Sequence, residues 1–154
     1  MSAAATTNPQ PRAAVPQSWT PRQREAIERR DGHLVVSASA GSGKTAVLTE
    51  RVLQLVTGEH PDGAREPVAL DRLLIVTFTE KAAREMRERI ERRLREALAE
   101  RPEQPALRGA LNILPSAWIM TIDAFCRRLV IEHFHRAQVS PEPRIPEETE
   151  LDRL

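Results

Sequence analysis

The sequence predicts an α/β domain in which a mainly parallel sheet is flanked by helices. Three observations predict this class. Short apolar stretches of strand length occur at residues 34–37, 73–78 and 117–122. Segments with the apolar spacing of helices lie between these stretches. Each stretch is followed by polar sequence, at residues 37–45, 77–81 and 121–123. Because ligands of parallel sheets gather at the carboxyl ends of strands, these three ends predict one functional site.

The helix boundaries in the first half follow from capping signals. Thr20 is a good N-cap and Pro21 suits the first helical position, so a helix is predicted over residues 21–30. A second helix is predicted over residues 44–57, where apolar side chains recur at helical spacing. Gly58 is predicted to end it, because glycine readily adopts the left-handed conformation found there.

The second half alternates in the same way. The most regular helical stripe covers residues 81–101, and a weaker helix is predicted at 106–114. The last apolar stretch leads into a helix at 123–135, with Asp123 predicted as its N-cap. The alternation therefore places each strand candidate before a helix, as in parallel sheets with helical crossovers.

Composition divides the chain into three segments. Residues 1–18 are rich in Ala, Thr, Pro and Gln and lack periodicity, which predicts a disordered tail. Residues 19–139 are predicted to form the ordered domain. Residues 140–154 are rich in Pro and Glu, with an acidic helix predicted from Pro146, and are expected to lead into a longer remainder.

Composition also bounds the class of protein. Hydrophobic residues at 40% and charged residues at 29% are typical of a soluble globular protein. The longest apolar run, about Leu73 to Val76, is too short to span a bilayer, so no membrane association and a cytoplasmic location are expected. Cys126 is the only cysteine, which excludes an intrachain disulfide. The net charge of +1 does not by itself indicate a nucleic-acid partner.

One run after the first apolar stretch predicts a nucleotide site. Glycines let the backbone curl and aim N–H groups at phosphate oxygens, and the following helix adds its positive end. Lys44 would contact the β- and γ-phosphates of ATP, and the Thr45 hydroxyl would bind Mg²⁺, which makes these two the predicted catalytic residues. The predicted nucleotide-binding residues of this loop are Ala38, Ser39, Ala40, Gly41, Ser42, Gly43, Lys44 and Thr45.

The loop departs from the usual phosphate-loop pattern at one position. The pattern G-x-x-x-x-G-K-[ST] begins with glycine, whereas this chain has Ala38 there. The alternative interpretation is a Gly/Ser turn before a helix, with an incidental exposed lysine. The apolar stretch before the loop and the helical pattern after it favour the phosphate loop.

Three segments in a fixed order carry a family resemblance. Residues 20–23 read T-P-R-Q ahead of the loop, residues 76–86 read V-T-F-T-E-K-A-A-R-E-M, and residues 121–126 read T-I-D-A-F-C. Over about residues 19–150 the chain resembles the N-terminal part of superfamily 1 DNA helicases of the UvrD/Rep type. Within these it is most similar to the helicase–nuclease subunits AddA and RecB.

The resemblance implies a RecA-like P-loop domain of an ATP-dependent DNA helicase with 3′–5′ polarity, acting in double-strand break repair and recombination. It implies two partners, which are single-stranded DNA and a second subunit. Gln23 matches the glutamine that hydrogen-bonds adenine, and a carboxamide can pair with N6 and N7 of that base. The residues that match DNA-contacting positions are Thr77, Phe78, Thr79, Lys81 and Thr121.

Three positions in these motifs leave alternatives open. Phe78 could stack on a base or pack in the core as an ordinary aromatic side chain. Asp123 stands where the family motif has histidine, so as an anion it would repel phosphate. Glu80 stands where the family has Asn or Glu, and glutamate suits the helicase–nuclease branch.

The chain lacks an Asp-Glu pair after an apolar strand, which this family uses for hydrolysis. We therefore expect an N-terminal piece of a longer motor that is an enzyme only in its full-length form. The alternative function is a small stand-alone P-loop phosphotransferase, or kinase, in which Gln23 and residues 77–79 would have no task.

Overall fold

The computed structural model describes residues 19–138 and residue 140, and the predicted N-terminal tail and the acidic segment at 141–154 lie outside the described residues. Two strands and five α-helices make up this described part. In chain order they are α1 (Pro21–Glu28), α2 (Lys44–Thr57), β1 (Leu74–Thr77), α3 (Glu80–Glu100), α4 (Pro105–Ile113), β2 (Trp118–Thr121) and α5 (Ile122–Ala137).

The two strands form a small parallel sheet, as the alternating pattern predicts. Leu74 lies opposite Trp118, and Thr77 lies opposite Thr121. The crossover between the strands contains α3 and α4, which is the kind of connection that parallel neighbours require. The polar sequences after β1 and β2 therefore lie side by side at one edge of the sheet.

The predicted strand at residues 34–37 is wrong. The backbone there has no strand structure, and the Val35 and Val36 side chains are 91% and 51% exposed. A strand needs the N–H and C=O groups of a neighbouring strand, and within the described residues β1 and β2 pair only with each other. β-branched residues favour a strand but do not supply its partner.

The helices agree closely with the capping signals. Thr20 caps α1 in a reciprocal box with Gln23, and Gly58 ends α2 with a φ of 73°. The apolar stripe of α3 is buried along its whole length, from Ala83 to Ala97. Within the described part of the chain, no helix combines the length and apolarity that crossing a membrane requires.

The predicted N-cap of α5 at Asp123 is wrong. The Thr121 hydroxyl accepts a hydrogen bond from the Ala124 N–H at 3.1 Å, so Thr121 is the N-cap and the helix begins at Ile122. Asp123 instead lies in the first turn, where its charge favours the positive end of the helix. Both residue types cap well, and the end of β2 at Thr121 decides between them.

The core lies between α2, α3, α4 and one face of the sheet. Its most completely buried members include Leu53, Ile90, Leu94 and Leu107. A smaller cluster formed by Ala26, Ile27 and Val47 attaches α1 to α2. Burial of these apolar side chains is the main driving force that brings the helices together.

Two partly buried arginines fix α1 against α2. Arg51 of α2 donates to the Ala26 carbonyl at 2.7 Å, and Arg30 donates to the Ile27 carbonyl at 2.5 Å and to Gln54 at 3.2 Å. These bonds occupy carbonyls at the end of α1, which has no further helical turn to bond them. Burial, together with the charges of Arg51 and Arg65, lowers the pKa of Arg30 below its ordinary value.

Candidate functional site

The candidate nucleotide site is the loop that precedes α2. Gly41 and Gly43 have φ angles of 77° and 83°, which side-chain-bearing residues rarely adopt. A Cβ added to Gly41 would meet no atom within 4 Å, so open space lies beside this turn. No side chain caps α2, so its first backbone N–H groups are available to an anion.

The loop bends around the Lys44 ammonium. The Lys44 Nζ donates to the carbonyl oxygens of Ala38 and Ser39, at 2.7 and 2.8 Å. The Ser42 N–H bonds the Ser39 carbonyl at 3.4 Å and closes the turn. An ammonium has three donors, so one remains for another acceptor.

Ala38 fits the loop without strain. Within the described residues the only non-glycine residue with positive φ is Gln138, so Ala38 has a φ that any residue adopts. Its contribution to the loop is its carbonyl, which every residue type has. The departure from the glycine of the motif therefore leaves the backbone geometry intact.

Two hydroxyl groups near Lys44 lack hydrogen-bond partners among the described residues. The Ser42 Oγ is buried without a partner. The side chain of Thr45 is partly buried in the first turn of α2, and its hydroxyl makes no hydrogen bond within the described part. A hydroxyl oxygen is the kind of hard ligand that Mg²⁺ prefers. No group of three or more His, Cys, Asp or Glu side chains that could hold a metal occurs in the described residues.

Gln23 links α1 to this loop. Its Oε1 accepts from the Thr20 N–H at 3.0 Å, and its Nε2 donates to the Ser42 carbonyl at 3.1 Å. A Cβ added to Gly43 would lie 3.4 Å from the same Nε2, so the amide rests against the loop. One N–H and one lone pair of the carboxamide remain for a further partner.

The second candidate surface lies where β1 and β2 end. Phe78 follows β1 and is 88% exposed, so the alternative of a core aromatic is wrong. Thr79 caps α3 by accepting from the Ala82 N–H at 3.1 Å, and Thr77 donates to the Thr79 carbonyl. The Lys81 side chain is 81% exposed, with its ammonium 3.9 Å from a Glu85 carboxylate oxygen.

A hydrogen bond that the sequence did not predict joins the two strand ends. The buried Thr121 hydroxyl donates to Glu80 Oε1 at 3.3 Å, across 41 positions of sequence. The structure therefore brings all five predicted DNA-contacting residues to one edge of the sheet. It gives the hydroxyls of Thr79 and Thr121 capping roles as well.

A groove of about 760 Å³ opens between this edge and α5. Its lining includes Phe78, Thr121, Asp123, Arg127 and Arg128. The motifs in the sequence did not include the two arginines. The sequence signal that could have identified Arg127 and Arg128 is their spacing, since they follow Asp123 and Ala124 by one helical turn and lie on the same face of α5.

The structure thus defines an α/β domain with a glycine-bearing loop at a helix N-terminus and an exposed aromatic at the sheet edge. Residues 19–154 match the UvrD/REP helicase N-terminal domain. The chain belongs to this family.

Several curated relatives are similar over most of the chain. Each is named as the A subunit of an ATP-dependent helicase/nuclease. The one from Lachnoclostridium phytofermentans is 48% identical over 134 residues, which is 87% of this chain and 9% of that protein. The one from Clostridioides difficile is 46% identical over 132 residues, and the one from Pelotomaculum thermopropionicum is 44% identical over 137 residues. The chain covers 86% and 89% of its own length in these two matches, and 10% of each relative. The phosphotransferase alternative receives no support from these comparisons.

Proposed function

We propose that this chain is the ATP-binding N-terminal part of an ATP-dependent DNA helicase of the AddA helicase–nuclease type. The observation that carries the proposal is the loop at residues 38–45, which surrounds the Lys44 ammonium at the uncapped start of α2. Residues 19–139 would form the first part of a RecA-like P-loop domain. The whole protein would act on single-stranded DNA with a second subunit, in the cytoplasm, in DNA repair and recombination.

The loop fits the triphosphate of ATP. Phosphate oxygens in the open space beside Gly41 could accept from the third Lys44 N–H and from the first N–H groups of α2. The unpartnered Ser42 hydroxyl adds a further donor. The Thr45 hydroxyl would ligate Mg²⁺, which when bound neutralises part of the charge on the phosphate oxygens. The residues of this loop would hold and orient the triphosphate.

Gln23 is proposed to read the adenine with its remaining N–H and lone pair while its other two bonds hold the loop. Gln23→Ala is then expected to weaken ATP binding about tenfold, since it removes two neutral hydrogen bonds to the base. The affinity for inorganic tripolyphosphate should fall only about two- to threefold, because the substitution loosens the loop. Competition against a fluorescent ATP analogue measures both. Equal losses for the two ligands would show that Gln23 acts through Ser42 and does not read the base.

Phe78 is proposed to stack on a base of single-stranded DNA. Its ring has the exposure that stacking requires, and base–aromatic stacking contributes about 1–3 kcal/mol per base. Phe78→Ala should therefore weaken binding of an oligothymidylate by roughly 5- to 150-fold. Fluorescence anisotropy measures the affinity.

Phe78→Leu is the matched variant, because it keeps apolar area but removes the ring. It should bind DNA as weakly as Phe78→Ala and melt at the same temperature as the original chain. An original chain that binds ATP but no single-stranded DNA would contradict the helicase part of the proposed function.

A further inference from the structure

We propose that Arg127 is the phosphate-contacting residue of the groove between Phe78 and α5. This inference rests on the proposed binding of single-stranded DNA. It assigns a binding role to a residue outside the phosphate loop and outside the three family segments. Its basis is the arrangement of charges along α5, where Asp123 and Arg127 both line the groove.

The spacing on α5 puts Arg127 in the groove. Asp123, Arg127 and Ile131 follow one another at intervals of four residues, so they lie on one face of the helix, and all three line the groove. Phe78 and Thr121 line the same groove. The positive charge of Arg127 therefore lies one helical turn from the negative charge of Asp123.

Two of the three carboxylates in the groove are already engaged. Glu80 accepts from the Thr121 hydroxyl at 3.3 Å, and Glu132 accepts from Arg128 Nε at 2.7 Å. The Arg128 guanidinium also lies 3.9 Å from the centre of the Trp118 ring, a cation–π contact that further restrains it. Arg128 is therefore restrained by two contacts within the protein.

Arg127 differs from Arg128 in this respect. It is exposed, and within the described residues its guanidinium makes no hydrogen bond or ion pair. Asp123 precedes it by four residues, the favourable order for a helical ion pair, yet these two side chains do not come within 4.0 Å of each other. All five guanidinium N–H groups of Arg127 remain available to a phosphate.

These features fit a single nucleotide strand better than a duplex. An exposed ring takes the face of an unstacked base, and a basic side chain beside it takes the adjoining phosphate. The unengaged Asp123 carboxylate would repel a second phosphate at the start of α5. In this groove, one base would stack on Phe78 and one phosphate would contact Arg127.

The test compares Arg127→Gln with Arg128→Gln, since both remove one charge from adjacent positions of α5. Binding of a fluorescein-labelled oligothymidylate is measured over a series of salt concentrations. Arg127→Gln should weaken binding roughly 5- to 10-fold and reduce the slope of log affinity against log salt by about 0.7, the value for one phosphate on a single strand. Arg128→Gln should reduce the slope by less, because its guanidinium is already paired with Glu132.

Two further variants separate contact from general charge. Arg127→Lys should restore the salt slope, and Asp123→Asn should strengthen binding because it removes the repelling anion. Equal effects of Arg127→Gln and Arg128→Gln would overturn the inference in favour of diffuse electrostatics. If Phe78→Ala weakens binding and Arg127→Gln does not, the inference fails and the proposed function stands. If the original chain binds no oligothymidylate, both fail.

Discussion

Lys44→Ala is expected to weaken binding of Mg-ATP by about 100-fold. Lys44 is the residue around which the loop bends, and its third N–H is the donor proposed for the phosphates. A hydrogen bond to a charged partner contributes about 1.5–3 kcal/mol, and each 1.4 kcal/mol corresponds to a factor of ten in affinity. The substitution also frees the Ala38 and Ser39 carbonyls, which would then repel phosphate oxygens. Titration with a fluorescent ATP analogue measures the loss.

Two variants control this measurement. Arg95→Gln removes a cation from an exposed ion pair with Glu91 on α3 and should leave ATP affinity unchanged. Lys44→Arg keeps the charge but replaces a compact ammonium by a planar guanidinium, so it should recover only part of the affinity. If Lys44→Ala binds ATP as tightly as the original chain, the phosphate-loop interpretation is wrong.

The local sequence pattern was sufficient to predict that the helices and the two paired strands form. The boundaries of α1, α2 and α3 depend on capping and periodicity, which act over a few residues of sequence. The stretch at 34–37 has the same β-branched character as β1, but whether it forms a strand depends on a partner strand. Pairing is a property of the whole sheet, so the pattern of one stretch could not decide it.

The loop before α2 was predictable where its shape depends on the backbone. The turns at Gly41 and Gly43 could be predicted because a positive φ favours glycine, whereas the phosphate contact of Lys44 stays a prediction. The hydrogen bond between Glu80 and Thr121 could not be predicted from the sequence. It spans 41 positions and depends on the register of β1 against β2. The exposure of Phe78 was also undecided, since an aromatic at a strand end suits either a core or a surface.

Gly58→Ala is expected to lower the free energy of unfolding by about 3 kcal/mol, a large fraction of the stability of a small domain. Gly58 ends α2 with a φ of 73°, and a Cβ there would lie 2.2 Å from the Arg65 carbonyl oxygen. A left-handed alanine costs about 1–2 kcal/mol. Relieving the clash would also break the bond from the Arg65 N–H to the Gly58 carbonyl, now 2.8 Å long, at about 0.5–1.5 kcal/mol.

Gly109→Ala provides the matched control for Gly58→Ala. Gly109 lies inside α4 without positive φ, and a Cβ there would meet no atom within 4 Å. In a helix interior, alanine is more stable than glycine by roughly 0.5–1 kcal/mol, so this variant should melt slightly higher than the original chain. Gly58→Ala should melt roughly 10 °C lower, given about 2–8 °C per kcal/mol for domains of comparable size. Thermal melts followed by circular dichroism compare the two. Equal melting temperatures would mean that the loop after α2 does not approach Gly58 as closely as 2.2 Å, and that the end of this helix is free to adjust.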